Sequence, residues 1–202
     1  MARHRRWSLL CATVLTMSIP AFASTGMLPL GRHSCDLSEF EAVFVTASRF
    51  RGSSSRVELF ADFLSAVQFL REEFSDELVE CVWIGGGFTT AKIDPTDIDV
   101  TFILNWSAYD SLSNSKRGKL SKLLRAGGFK RLALSVDGFM MVRERVAQPW
   151  AGAGLGSDGA DYFPLRGAWD DWWSRDRAHT TSDSPPVIED ADPVRGYVEV
   201  MI

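Results

Sequence analysis

At 202 residues the chain has the length of one domain, and 46% hydrophobic and 11% aromatic content is enough to build a core. A net charge of −4 gives no global basic footprint for nucleic acid. Three cysteines (Cys11, Cys35, Cys81) and three histidines (His4, His33, His179) show neither zinc-ligand spacing nor a disulfide framework, which argues against both.

In chain order, Arg3, His4, Arg5 and Arg6 precede an apolar run over residues 7–19, and Ala21-Phe22-Ala23 follows. That is the form of a secretory signal and predicts export. The other reading is translation from Met27, which makes residues 1–26 a miscalled leader and residues 27–202 a single cytoplasmic domain. The apolar run falls short of the about 20 residues that a membrane-spanning helix needs, so no stable span is expected.

Asp36 followed by Glu39 has the form of a capping box, opening a helix with Leu37, Phe40, Val43 and Phe44 on one side. Gly52-Ser53-Ser54-Ser55 breaks the chain. Beyond it Val57, Phe60, Phe63, Leu64, Val67 and Phe74 recur at helical spacing, a stripe that faces the core. Cys81-Val82-Trp83-Ile84 is a buried strand running into Gly85-Gly86-Gly87. Asp94-Pro95 disfavours helix in the connection. Asp97-Ile98-Asp99 then opens a second strand over residues 97–104.

A broken helical region over residues 108–125 stops at Gly127-Gly128. Lys116, Arg117, Lys119, Lys122 and Arg125 lie on it, either as the solvated face of a helix or as a local nucleic-acid patch. Asp137-Gly138 between the apolar runs 132–136 and 139–142 is a hairpin signal. The glycines in residues 151–160 lack G-x-G-x-x-G spacing, so the stretch reads as a flexible loop. Trp169, Trp172 and Trp173 sit at helical spacing and pack a helix onto the sheet, with base stacking as the alternative. Residues 180–193 read as a polar surface linker, and residues 197–202 as a final strand at a sheet edge. These elements give an α/β (α+β) fold with a mixed sheet flanked by helices.

The chemistry concentrates at the two aspartates. Alternate strand residues point to one face, so Asp97 and Asp99 project side by side with Ile98 turned into the core. Carboxylates that close repel unless a cation lies between them, and Mg²⁺ suits a site of few carboxylates plus water and phosphate. A glycine turn beside them lets backbone amides approach a phosphate.

The run Ile84-Gly85-Gly86-Gly87, a spacer, and Asp97-Ile98-Asp99-Val100 is similar to the signature of the nucleotidyltransferase superfamily. More narrowly, the chain resembles a family of small uncharacterised bacterial and phage proteins (DUF6932-like) with that fold. The narrower resemblance rests on Leu28-Pro29-Leu30-Gly31-Arg32-His33, on the stretch from Trp83 to Asp99, and on Trp169-Asp170-Asp171-Trp172-Trp173 with Arg195-Gly196-Tyr197-Val198-Glu199-Val200. It implies a minimal nucleotidyltransferase fold, Mg²⁺ held by Asp97 and Asp99, and a nucleoside triphosphate whose phosphates meet Gly86 and Gly87. Many relatives carry Gly-Ser before the Phe; this chain has Gly86-Gly87-Phe88, so Thr89, Thr90 or backbone amides replace the serine hydroxyl. The third carboxylate of such sites comes from a later strand. Asp137 is the candidate by position, a plain turn residue being the other reading, and Glu144 is the reserve. The implied reaction transfers a nucleotide to an unknown hydroxyl acceptor on a protein, an RNA or a small molecule. The alternatives are a fold that has lost its chemistry and acts as an antitoxin-like or partner-binding protein, and an exported protein of another role.

Overall fold

The computed structural model describes residues 18–151, 161–180 and 184–202. Five strands form one mixed sheet in the order β1-β5-β2-β3-β4. They are β1 (Gly31–Asp36), β2 (Val79–Ile84), β3 (Ile98–Asn105), β4 (Val136–Arg143) and β5 (Gly196–Met201). The β1–β5 and β3–β4 pairs are parallel, and β2 is antiparallel to both its neighbours. Helices α1 (Leu37–Phe44) and α2 (Arg56–Glu73) precede β2. The crossover from β3 to β4 carries α3 (Trp106–Asp110) and α4 (Asn114–Leu123), and α5 (Tyr162–Trp173) follows β4. The chain thus adopts the expected α+β architecture.

The sheet is covered on both faces, which is why β2, β3 and β5 are near-continuous apolar runs. One face buries Val82, Ile84, Val100, Phe102, Val198 and Val200 in a core shared with Phe40 and Phe44 of α1 and with Leu59, Phe60, Phe63 and Leu70 of α2. Each such fully buried side chain contributes on the order of 1.5–3 kcal/mol. The opposite face buries Cys81, Trp83, Ile103, Met141 and Tyr197 beneath Tyr162 and Trp173 of α5. Trp173 donates from Nε1 to Thr101 Oγ1 at 3.0 Å and stacks on Trp169 at 5.5 Å, so these two tryptophans pack the helix onto the sheet.

Several local expectations are corrected. Asp36 does cap α1, accepting from Glu39 N at 2.7 Å, but the Glu39 carboxylate turns upstream to Ser18 and Ile19, so the box is not reciprocal. In α2 the buried stripe is Leu59, Phe60, Phe63, Ala66, Val67 and Leu70, while Val57 is 70% exposed and Leu64 36% exposed. The stripe is rotated towards Arg56, a charged residue that hydropathy excludes from a core face. No hairpin forms at Asp137-Gly138. Residues Gly128–Leu132 make a 3-10 turn, Ala133 adopts a left-handed φ of 56°, and both residues of the dipeptide lie inside β4. A Cβ on Gly138 would come within 2.7 Å of the Phe129 ring, so close packing, not turning, demands the glycine. The last strand, β5, is internal, between β1 and β2; the edges are β4 and β1. Only Cys35 of β1 is buried, so that strand has no apolar run to betray it.

The packed unit includes residues ahead of Met27. Ser18 Oγ donates to Glu39 Oε2 at 2.8 Å, and Phe22 meets the Phe44 and Phe50 rings edge-on at 5.9 and 6.3 Å. Residues 1–17, 152–160 and 181–183 lie outside the described residues, and with them most of the leader and nearly all of the 151–160 loop. The described part of 180–193 is no plain linker: a 3-10 turn (Ile188–Asp190) buries the Asp190 carboxylate, which accepts from His179 N at 2.9 Å and Thr180 Oγ1 at 2.8 Å. Among the described residues, no helix is long and apolar enough to cross a membrane.

Candidate active site

The site forms where β2 ends and β3 begins. Gly85 N donates to Asp99 O at 3.2 Å, which ties the glycine turn to the aspartate strand. A Cβ on Gly85 would lie 2.3 Å from the Trp173 ring, so the indole can settle there only over a glycine. Gly86 has φ of 61°, and a Cβ on it would lie 1.8 Å from Asp99 Oδ2. The turn therefore needs glycine for its conformation and for the carboxylate beside it. Gly87 is different: a Cβ there meets nothing nearer than 3.7 Å. Among the described residues, nothing accepts a hydrogen bond from the Gly86 and Gly87 amides.

Asp97 and Asp99 project from the same face, separated by the fully buried Ile98. The parallel register of β3 and β4 sets Asp137 directly beside Asp99. Neighbouring strands lie about 4.8 Å apart, so register partners present side chains to the same face at close range. Asp137 Oδ1 accepts from Gly127 N at 2.9 Å, and Gly127 holds a left-handed φ of 67°. Glu144 is seven residues further along, about 23 Å at 3.3 Å per strand residue. It belongs to the other end of the sheet and drops out as a third carboxylate.

The three aspartates line one cleft of about 820 Å³ together with Gly86, Gly87 and Thr90. Their electrostatics are unfavourable without a counter-ion. Burial first, then the charges of Asp97 and Asp137, push the Asp99 carboxyl up to about 7, against the pull of Arg195. Burial and Asp137 also raise Asp97, against a Thr96 hydrogen bond and the cations of Lys92 and Lys130. Carboxylate oxygens are the ligand type of a hard divalent cation, so the donor set fits Mg²⁺. As the side chains stand, no group of three or more His, Cys, Asp or Glu among the described residues is arranged to hold a metal ion.

Thr89, expected to touch phosphate, is fully buried, and its Oγ1 accepts from Arg195 Nη2 at 2.8 Å. Thr90 faces the cleft instead, with its hydroxyl donating to Gly87 O at 2.8 Å. Arg195 also donates to Gly86 O at 2.8 Å, bracing the turn from behind. Burial lowers its pKa, opposed by Asp176 and Asp99.

The second brace is Arg56, whose side chain is wholly buried. Its guanidinium donates to five carbonyls, those of Phe44, Phe88, Thr90, Lys92 and Ile93, at 2.6–3.2 Å. It lies 3.7 Å from the Phe50 ring centroid and 4.9 Å from that of Phe88. Burial lowers its pKa to about 10 despite Asp94. Five planar donors suit this task, which lysine cannot match. The N-terminal segment closes the arrangement: Gly26 O accepts from Ala91 N at 2.7 Å, and Thr25, Gly26 and Met27 form a wall of the cleft. Sequence reasoning missed Arg56, Arg195 and Lys92. Arg56 carries one usable signal, because it stands three and four residues before Leu59 and Phe60 on the buried stripe.

A family model for DUF6932, a family of unknown function, matches residues 20–201. The chain belongs to that family. Comparison with curated proteins and with solved structures found no match.

Proposed function

We propose that this member of the DUF6932 family is a Mg²⁺-dependent nucleotidyltransferase that moves a nucleotide from a nucleoside triphosphate to a hydroxyl acceptor. The observation that carries this reading is the register pairing of Asp99 with Asp137, with Asp97 on the same face and the Gly86-Gly87 turn in the same cleft. Asp97 and Asp99 would hold the metal, with Asp137 beside them. When bound, Mg²⁺ neutralises charge on the triphosphate and polarises the phosphorus under attack.

The chain's own residues account for the rest. The Gly86 and Gly87 amides donate to phosphate oxygens, and Lys92 at the cleft wall adds a cation. Asp137, with one oxygen engaged by Gly127 N, keeps the other to orient the acceptor hydroxyl and take its proton. The bond from acceptor oxygen to α-phosphorus forms, the α–β phosphoanhydride breaks, and pyrophosphate leaves. Catalysis of this kind rests on positioning and electrostatics.

Calorimetry with ATP, CTP, GTP and UTP, with and without Mg²⁺, tests the reading. Metal-dependent binding that is lost in Asp97→Asn and Asp99→Asn is expected. Undiminished binding in both variants overturns the metal assignment. A second reading, a partner-binding protein that has lost its chemistry, is favoured because no three carboxylates among the described residues stand ready to hold a metal. It predicts no nucleotide binding at millimolar ligand in either condition.

A further inference from the structure

Charge is sharply segregated along this chain. Residues 111–136 contain seven Lys and Arg (Lys116, Arg117, Lys119, Lys122, Arg125, Lys130, Arg131) and no Asp or Glu, leaving −11 on the rest of a chain of net charge −4. The cations at the start of α4 are already engaged: Lys119 pairs with Glu73 at 2.7 Å, Lys116 donates to Glu73 O at 2.8 Å, and Arg117 pairs with Asp110 at 2.8 Å. Lys122, Arg125 and Lys130 are exposed, and none of the three makes an ion pair among the described residues.

These cations lead to the carboxylates. Arg131 bridges Gly128 O and Lys122 O, tying the end of α4 to the turn that follows. The next contact is Gly127 N on Asp137 Oδ1, with the Lys130 stem packed beside Gly127. Lys130 is close enough to Asp97 to draw its carboxyl down. The face is cationic without being sticky: Leu132, at 36% exposure, is its one exposed large apolar residue among those described. Protein interfaces are anchored by buried aromatic and apolar side chains, whereas phosphodiester backbones are held by scattered Lys and Arg with small polar residues between them. Ser115, Gly118 and Ser121 supply that spacing on α4.

We infer that the acceptor is the hydroxyl end of a single-stranded nucleic acid, whose backbone lies along Lys122, Arg125 and Lys130 and whose terminus enters the cleft at Asp137. This rests on the nucleotidyltransferase reading, and the experiment separates the two. The full chain is titrated in EDTA, without nucleotide, into fluorescein-labelled 20-nucleotide single-stranded RNA and DNA at 25 and 150 mM NaCl. Three chains are compared: wild type, K122Q/R125Q/K130Q, and R49Q/R51Q/R166Q, which removes the same charge from elsewhere. The expected result is at least tenfold weaker binding in the first variant and little change in the second. The salt slope of the first variant should be flatter by about 2, at about 0.7 per lost phosphate contact.

No binding, binding weakened equally by both variants, or polyglutamate binding as tightly as the oligonucleotides overturns the inference. Mg²⁺ and α-labelled nucleoside triphosphates are then added to the bound RNA and DNA, with 3′-phosphate-blocked strands as controls. Label on the open strand alone supports the acceptor and shows which sugar it carries. Patch-dependent binding without label on any strand overturns the acceptor assignment while leaving a nucleic-acid-binding face. Mg²⁺-nucleotide binding by calorimetry without oligonucleotide binding overturns the patch and leaves the nucleotidyltransferase reading standing.

Discussion

Converting Asp99 to Asn should stabilise the metal-free protein while abolishing its Mg²⁺-dependent nucleotide binding. The unfolded chain gives up this proton near 3.8, whereas the folded protein holds it until about 7. Between those values the folded state carries more proton than the unfolded one. Stability therefore falls as pH rises through that window, and the loss is complete above about 7. At roughly 1.4 kcal/mol per pH unit the interval is worth about 4 kcal/mol. Arg195 returns part of it, because that buried guanidinium loses a neighbouring negative charge when Asp99 is neutralised. The net gain at pH 8 in EDTA should be about 2 kcal/mol, a rise in Tm of about 4–8 °C for a chain of this length. Thermal melts of both proteins from pH 4 to 8 provide the assay. The two Tm curves should meet near pH 4, where protonated Asp99 resembles Asn, and diverge towards pH 8. Mg²⁺ should raise the wild-type Tm and leave the variant's unmoved. An Asn variant no more stable than wild type at pH 8, with a difference independent of pH, would refute the claim that this carboxylate is ionised at a cost.

Other substitutions probe the supports. Arg56→Ala strands five carbonyls in the core and should cost more than about 4 kcal/mol, read by urea denaturation. Arg56→Lys, with three donors, should recover only part of that. Gly86→Ala drives a methyl into the Asp99 carboxylate and should abolish nucleotide binding by calorimetry, whereas Gly87→Ser finds open space and should change stability by less than about 0.5 kcal/mol. A chain beginning at Met27 lacks the Phe22 and Ile19 contacts and the wall at Thr25 and Gly26, and should lose about 3 kcal/mol in denaturant titrations.

The sequence reveals much of the core of this fold and the first two carboxylates, and physical reasons separate these from the rest. The strands at 79–84 and 98–105 are legible because both of their faces are buried, so hydropathy alone marks them. Asp97 and Asp99 stand out because polar residues interrupt that pattern at the mouth of a strand. Asp137 is visible as a residue but not as a neighbour: only the β3–β4 register brings it to Asp99, and its Asp-Gly dipeptide imitates a turn signal. The glycine of that dipeptide answers to the Phe129 ring, a partner that local sequence cannot name. Arg56 and Arg195 are hidden because composition assigns charge to the surface, while here main-chain carbonyls supply the solvation that water would otherwise give. Thr89 points inward for a related reason, since Arg195 claims its hydroxyl.

The crossover that precedes Asp137 also determines where this chain can change length. The short connection between α3 and α4 can change length at less cost than the segment after α4, whose Gly127 and Phe129 hold Asp137 and Gly138. One residue added within β4 ahead of Asp137 would swing that carboxylate to the opposite side of the sheet, into the hydrocarbon interior beneath α2. Changes of length are thus cheapest between the two crossover helices and most damaging in the strand that carries Asp137.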